Sequence, residues 1–372
     1  MLTFHPLRVA GIHPDAEDAV GISLQVPAEL RETYRGLPGQ HVVVKTEIND
    51  EENRRTYSVV SLPGESPLRI VARVHAAGQM SRYFAEQLNE GDELDVLPPN
   101  GSFTPRRDAQ GEGRYVAFAS GCGITPVLSI VRWLLSTDQG NRVVLFYGNA
   151  STVRAMCMEE LLGLKDRYMD RLSLHFVMSR EPQEVDLYNG RIDAAKVREF
   201  ARSLFSPADV TEYFVCGPGN MIDEVSATLR AMAVAADRIH GEHFTVAPTT
   251  AVEKTPEAAT IAKPAERGEM PGVPALAPDE SEVTVLMDGR RRTFTMRMND
   301  EVVLDAALHA GLELPFSCRA GVCSTCRTKV VRGEVEMAQN YALEDWEVEQ
   351  GYVLACQSRV KTPVLELDYD EK

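Results

Sequence analysis

Four cysteines near the C-terminal end constrain this chain more than any other feature. Cys318, Cys323, Cys326 and Cys356 run C-x4-C-x2-C, with the fourth after a longer interval. That is the ligand spacing of a plant-type [2Fe–2S] cluster, four thiolates on two irons. The small residues of the loop suit the task. Ala320, Gly321 and Ser324 leave room for backbone N–H groups to approach the cluster sulfurs, and such hydrogen bonds help set a reduction potential. The alternative is structural zinc on Cys323-x-x-Cys326 and two more cysteines, although zinc ligands usually come as two separated pairs. Seven cysteines in 372 residues is an odd count in a large chain, which argues for site chemistry rather than a disulfide framework.

Lys and Arg number 39 against 55 Asp and Glu, a net charge of −16. A polyphosphate binder needs a basic face to release counterions, so nucleic acid is disfavoured, and anionic membranes with it. No apolar run approaches the roughly 18–20 residues of a spanning helix. The opening residues lack the basic and apolar regions of a secretory signal. The expectation is a cytoplasmic protein of two or three domains.

One stretch stands apart. Residues 245–280 hold six prolines, eight alanines and no aromatic residue, so they cannot bury a core, and they read as an interdomain linker. Upstream, residues 1–108 carry strand signals at 42–44, 57–60 and 68–74, separated by turn residues as in an antiparallel β-barrel. Residues 109–244 alternate short apolar runs (115–119, 143–147, 172–178, 213–215) with helical patterns such as Val127, Leu128, Ile130, Val131, Leu134 and Leu135. That rhythm predicts an α/β domain with a parallel sheet. Residues 281–372 form the small cysteine-bearing domain. Its pattern predicts strands at 283–288 and 293–298, a helix at 302–310 ended by Gly311, and a last strand at 364–369.

Two motifs in the first domain suggest a phosphate-bearing ring system. Arg55-Thr-Tyr-Ser58 sits on an expected strand, and Gly78-Gln-Met-Ser81 opens a helix. An Arg can neutralise a pyrophosphate, a Tyr can pack on a ring, and N–H groups at a helix start can hold phosphate oxygens. By itself the first motif reads better as a strand with an exposed Arg and a half-buried Tyr, and the second motif changes that balance. In the second domain, Gly121-Cys-Gly-Ile-Thr-Pro126 links a strand to an amphipathic helix; Thr125 can cap that helix and Pro126 suits its first turn. Cys216-Gly-Pro-Gly-Asn-Met221 ends a strand at the ligand edge of a parallel sheet. Cys216 alone could equally be a buried small hydrophobe. Ser179 and Arg180 follow another strand, where a hydroxyl and a guanidinium could hold a ribose 2′-phosphate and favour NADPH over NADH, unless Arg180 is simply solvated.

Taken together, these motifs resemble the ferredoxin–NADP reductase superfamily, with a C-terminal domain similar to plant-type ferredoxins. Pro315-Phe-Ser-Cys318 through Cys326 is nearly the ferredoxin signature, with Phe316 where Tyr is usual. The resemblance implies a flavin barrel, a nicotinamide domain and a β-grasp ferredoxin domain. It implies that Arg55, Tyr57 and Ser58 contact FAD, Ser58 near N5, and that Gly78, Met80 and Ser81 cradle its pyrophosphate. Gly121, Gly123, Thr125 and Pro126 would hold the nicotinamide cofactor's pyrophosphate. Cys216, followed by Gly217, Pro218 and Met221, would lie beside the nicotinamide C4, and Glu242 and Phe244 beside the flavin. A plain chain end is the other reading of those last two.

The domain order resembles reductase components of bacterial oxygenases, implying NAD(P)H as donor, FAD and one [2Fe–2S] cluster as carriers, and a separate oxygenase as acceptor. Thr3-Phe-His-Pro-Leu7, Gly39-Gln-His41, Gly190-Arg-Ile-Asp193 and Asn340-Tyr341 are similar to the members that serve a multi-subunit diiron epoxidase. Reductases of other ring-hydroxylating or multicomponent monooxygenases share the same chemistry. A flavin reductase with a zinc-bearing docking module is the remaining alternative.

Overall fold

The computed structural model describes residues 3–106, 112–244, 259–263 and 277–371. The chain divides into two compact units, Leu2–Ala247 and Pro248–Lys372.

The first unit contains two sheets. Period-two patterning gives β1 (His5–Pro14), β2 (Ala19–Gln25), β3 (His41–Ile48), β4 (Glu51–Ser58), β5 (Leu68–Arg73) and β6 (Glu93–Val96). They form an antiparallel sheet in the order β4-β3-β6-β1-β2-β5. A bridge between Val59 and Ile70 brings the two ends of that order together. Leu7, Ile22, Leu24, Val42, Val44 and Ile70 fill the interior, and helix α1 (Gln79–Glu86) adds Met80 and Phe84.

Strands β7 (Arg114–Ser120), β8 (Arg142–Asn149), β9 (Leu172–Met178), β10 (Glu212–Gly217) and β11 (Ile239–His243) form the parallel sheet, in the order β11-β10-β7-β8-β9. Helices α2 (Ile124–Thr137), α3 (Met158–Arg167), α4 (Ala194–Ser203) and α5 (Gly219–Ala231) connect them. Burial on both faces explains the unbroken apolar runs. Along β7, Tyr115, Ala117 and Ala119 pack with α2 and α3, whereas Val116 and Phe118 pack with α4 and α5. On that second face Phe146 stacks between Phe118 and Phe200, with centroids 5.1 and 4.1 Å away.

Barrel and parallel sheet share one core: Ala19, Val60, Val71 and Phe103 of the barrel side pack with α2 and its strands. Asp18 pairs with Arg73 within the barrel and with Arg154 across the same boundary. Arg132 of α2 donates to the Val60 carbonyl at 2.8 Å and pairs with Glu65 at 3.0 Å.

The second unit contains β12 (Ala259–Lys263), β13 (Glu280–Met287), β14 (Arg290–Arg297), α6 (Val303–His309), β15 (Arg327–Met337), α7 (Asp345–Glu349), β16 (Tyr352–Leu354), β17 (Ser358–Val360) and β18 (Val364–Asp368). The sheet order is β12-β15-β18-β13-β14, with β16 and β17 also paired to β15. Within it β13 runs parallel to β18, α6 contributes Val303, Leu304, Ala306 and Ala307 to the core, and Gly311 ends the helical segment at φ +74°. The stretch expected to serve only as a linker also supplies β12, which pairs antiparallel with β15 from Ala259 opposite Met337 to Lys263 opposite Gly333. Extended backbone of that kind can satisfy a sheet edge without contributing to a core. The rest of the expected linker up to residue 276 lies outside the described residues.

Phe200 is fully buried at one end of the aromatic stack, against Phe146. Phe200→Ala should therefore destabilise the first unit by about 3–5 kcal/mol. Urea unfolding of the full chain measures this, and a loss under about 1 kcal/mol would mean that the stack is not a main support of the sheet.

Candidate functional site

In the second unit the cysteine loop folds so that the four thiols meet two by two. Cys318 lies beside Cys323, to whose sulfur its own N–H donates, and Cys326 lies beside Cys356. The neighbouring thiol lowers Cys318 and Cys356 within each pair. The same pairing, together with burial, pushes Cys323 and Cys326 up. Among the described residues, no three His, Cys, Asp or Glu side chains converge on a single metal ion. Two pairs of thiols are the donor set that two irons need, whereas one tetrahedral zinc needs all four together.

Backbone amides face these sulfurs. The Ala320 N–H donates to Cys318 Sγ at 3.4 Å, and the Cys318 N–H to Cys323 Sγ at 3.5 Å. The loop achieves this by left-handed turns at Arg319, Gly321 and Ser324. A Cβ on Gly321 would stand 3.0 Å from the Gln339 carbonyl oxygen, so glycine is required there. Gln357, which the sequence did not single out, reaches the Arg319 carbonyl at 3.0 Å and Cys356 Sγ at 3.6 Å. The residues present fit a [2Fe–2S] cluster held by Cys318, Cys323, Cys326 and Cys356.

In the first unit, the ring of Tyr57 packs 5.3 Å from that of Phe84, which ties strand β4 to helix α1 and brings the two barrel motifs together. Arg55 lies exposed on β4 and Ser58 is buried. Gly78 caps α1, while the side chains of Met80 and Ser81 face inward. Ser81 Oγ donates to the Gly78 carbonyl at 3.2 Å and accepts from the His75 N–H. Any phosphate here would thus be met by the helix's backbone N–H groups.

Ser58 Oγ is buried with no hydrogen-bond partner among the described residues. Beside it, paired across the strands, is His41, whose Nδ1 lies 3.8 Å from Glu242 Oε1. His41 Nε2 and Glu242 Oε2 are likewise buried and unpartnered among the described residues. Glu242 sits on β11 directly opposite Cys216 on β10. Burial raises its carboxyl above the usual range, opposed by His41. Burial, then Glu242, pushes the Cys216 thiol well up. Phe244 packs against the shared core nearby. A buried group of polar atoms left unpaired by protein at the barrel–sheet boundary fits a polar ring system such as a flavin.

The glycine loop after β7 meets the end of β10 at the point where strand order reverses, the usual ligand edge of such sheets. A Cβ on Gly123 would stand 2.1 Å from the Cys216 carbonyl oxygen, and one on Gly217 2.7 Å from Met221 Cε. Gly121 has φ +55° and open space around it. The loop differs from expectation in one detail. Thr125 is not the cap: Gly121–Gly123 forms a 3₁₀ turn, α2 starts at Ile124, and Thr125 Oγ1 donates backward to the Cys122 carbonyl at 3.0 Å. The extra turn moves the helix start upstream of the threonine. Pro126 remains in the first helical turn.

From this edge opens a cavity of about 570 Å³, bounded by Gly121, Pro218 and Met221 at one side and by Ser179 and Arg180 at another. Arg73, Asn149, Arg154 and Arg191 line it as well; the first three do not stand out in the sequence, because nothing local marks a side chain that meets its neighbours only across a cavity. Arg180 and Arg191 have no ion pair among the described residues and give the cavity free cationic groups. Its size and charge fit a nicotinamide dinucleotide.

Comparison with known proteins agrees with this geometry. Family profiles match residues 16–104 as an oxidoreductase FAD-binding domain, 118–227 as an oxidoreductase NAD-binding domain, and 285–361 as a 2Fe-2S iron-sulfur cluster binding domain. The chain is 38% identical to one of the subunits of 1,2-phenylacetyl-CoA epoxidase from Escherichia coli (strain K12), covering 100% of this chain and 99% of the relative. It is 29% identical to the ferredoxin reductase component of 3-ketosteroid-9-alpha-monooxygenase from Rhodococcus rhodochrous, covering 98% and 96%. Phthalate dioxygenase reductase, a solved structure, shares the fold with a TM-score of 0.54 and 23% identity over 98% of both chains.

Two outcomes follow from the site. Cys216→Ala should leave the bound-FAD spectrum intact and slow flavin reduction in stopped-flow on the order of a hundredfold, because a reacting ring would lose its register; reduction at the wild-type rate would return Cys216 to packing. Cys326→Ser should abolish or weaken the cluster while reduction of ferricyanide continues from the first unit. Full iron content in that variant would remove Cys326 from the ligand set.

Proposed function

We propose, for a chain that belongs to the iron–sulfur flavoprotein reductases serving oxygenases, that its electron acceptor is a multi-subunit diiron epoxidase acting on phenylacetyl-CoA. The chain is an NAD(P)H-dependent oxidoreductase with sites for FAD and a [2Fe–2S] cluster, and it passes electrons through both to an oxygenase component. The observation that carries the acceptor is the 38% identity over the whole length to the epoxidase protein, against 29% to the ketosteroid monooxygenase component. The latter supports the second reading, a reductase of another multicomponent monooxygenase.

FAD, when bound, supplies the exchange between a two-electron donor and one-electron acceptors. In this reading the protein's own groups position and protect that exchange. Arg55 neutralises phosphate charge, and the α1 backbone N–H groups after Gly78 hold its oxygens. Tyr57 packs on the ring system. Ser58 offers an otherwise unpaired hydroxyl to the ring edge. Cys216, kept a neutral thiol by burial, orders the nicotinamide by packing rather than as a nucleophile. Glu242, held toward its protonated form, and His41 beside it can hold or pass a proton there. Phe244 covers the ring and excludes water.

Ser179 and Arg180 in the cavity support NADPH as donor, with NADH as the alternative. The proposed division of the chain is 1–108, 109–244, a linker over 245–280 with β12 inside it, and 281–372. No helix among the described residues is long and apolar enough to cross a membrane. The cytoplasmic placement rests on the four cluster thiolates, which a reducing compartment keeps available.

Reconstitution with purified oxygenases tests the acceptor. Turnover of phenylacetyl-CoA with its epoxidase, at rates well above those with a ketosteroid or phthalate oxygenase, is the expected result; equal or better support of the others would favour the second reading. For the donor, Arg180→Ala should raise KM for NADPH on the order of tenfold, the loss of about one charge-assisted hydrogen bond, and leave NADH unaffected. Equal losses for both would detach Arg180 from the 2′-phosphate.

A further inference from the structure

Strand β18 ends at Asp368, and the next residue, Tyr369, is fixed by its N–H on the Leu286 carbonyl at 2.9 Å. The ring packs against the core that contains Cys326 and Cys356. Its hydroxyl is buried and has no hydrogen-bond partner among the described residues. Leaving such a group unpaired costs about 1–3 kcal/mol, and a phenylalanine in the same place would cost nothing of the kind. A phenol keeps its proton at neutral pH, and burial raises it further, so the hydroxyl can act as a donor.

What the hydroxyl lacks is an acceptor, and the strand register puts it beside one ligand pair: Lys329 lies opposite Asp368 and Thr328 Oγ1 donates to the Asp368 carbonyl at 3.0 Å, so Tyr369 falls next to the residues that follow Cys326. On the other side of the loop, the amide of Ala320 already serves Cys318. Cys356 receives the Gln357 amide at 3.6 Å. Cys326 has no comparable side-chain donor among the described residues.

We propose that the Tyr369 hydroxyl donates a hydrogen bond to a sulfur of the bound [2Fe–2S] cluster on its Cys326–Cys356 side and raises the cluster's reduction potential. Hydrogen bonds to the sulfurs stabilise the added negative charge of the reduced state, which is how they set potential. No bond to hydrogen breaks: the one electron enters the cluster and the phenol proton stays on its oxygen. The proposal rests on the cluster assignment, and iron content separates the failure of one from the failure of the other.

The test is a dye-mediated redox titration of the full, cluster-loaded chain, followed by electron paramagnetic resonance. Tyr369→Phe, with iron content equal to wild type, should lower the reduced-to-oxidised ratio at fixed potential about tenfold, a shift of about 59 mV to more negative values for one electron. Tyr369→His, which keeps a ring and a donor, should recover part of that shift. A Phe variant with an unchanged midpoint overturns the proposal. Loss of the cluster from both variants also overturns it, because the residue would then be needed for packing. Loss from the Phe variant alone, with retention in the His variant, supports a required donor.

Discussion

The close approach of the Gly121–Gly123 turn to the end of β10 is the constraint on which the first unit's chemistry depends. With a Cβ on Gly123 only 2.1 Å from the Cys216 carbonyl oxygen, no other residue lets the two connections meet. Their meeting places Cys216 beside the glycine loop, and the parallel register of β10 with β11 then puts Glu242 directly across from it. The shared core of barrel and sheet brings His41 and Ser58 to the same place from the other side. A reaction between two ring systems needs both held in one dry, oriented pocket, and this junction supplies the walls.

The second unit solves a different problem with similar means. A cluster needs four sulfurs in a fixed arrangement and amides directed at them. Left-handed turns at Arg319, Gly321 and Ser324 bend the loop tightly enough to present its N–H groups inward. Two of those residues are not glycine, so backbone strain is accepted where ligands must be held, as is common at functional sites. Behind the loop, Glu347 is buried against Arg327 at 2.8 Å, and the guanidinium lies 3.6 Å from the Tyr352 ring centroid. That pair anchors the strand that leaves Cys326 to the helix that precedes Cys356.

Much of this is legible in the sequence because the chemistry demands particular residue types at particular spacings. The cysteine interval reflects a cluster geometry that few other ligands share. Strands are legible where burial is two-sided, as in β7 and β8, since a short unbroken apolar run between turn residues suits a strand covered on both faces. Thr125 escapes the expected capping role because capping preference is a local rule, and the 3₁₀ turn ahead of it is set by the contact with β10. The strand inside the proline-rich stretch leaves no trace in the pattern because backbone pairing at a sheet edge needs no particular side chains.

The sequence by itself determined the cofactor classes, the order of the modules and the motifs that are candidates for holding them, because those depend on chemistry carried by contiguous segments. Only the tertiary structure decided which distant groups share a site. His41 reaches Glu242 across some two hundred positions of chain, Arg73 and Arg154 enter the cavity from separate connections, and Tyr369 packs from the end of the last strand on the core that holds Cys326 and Cys356. Nothing in the local sequence marks Arg73, Arg154 or Tyr369 for these places, since neighbours across a cavity and a buried atom left without a partner exist only once the chain has closed around them.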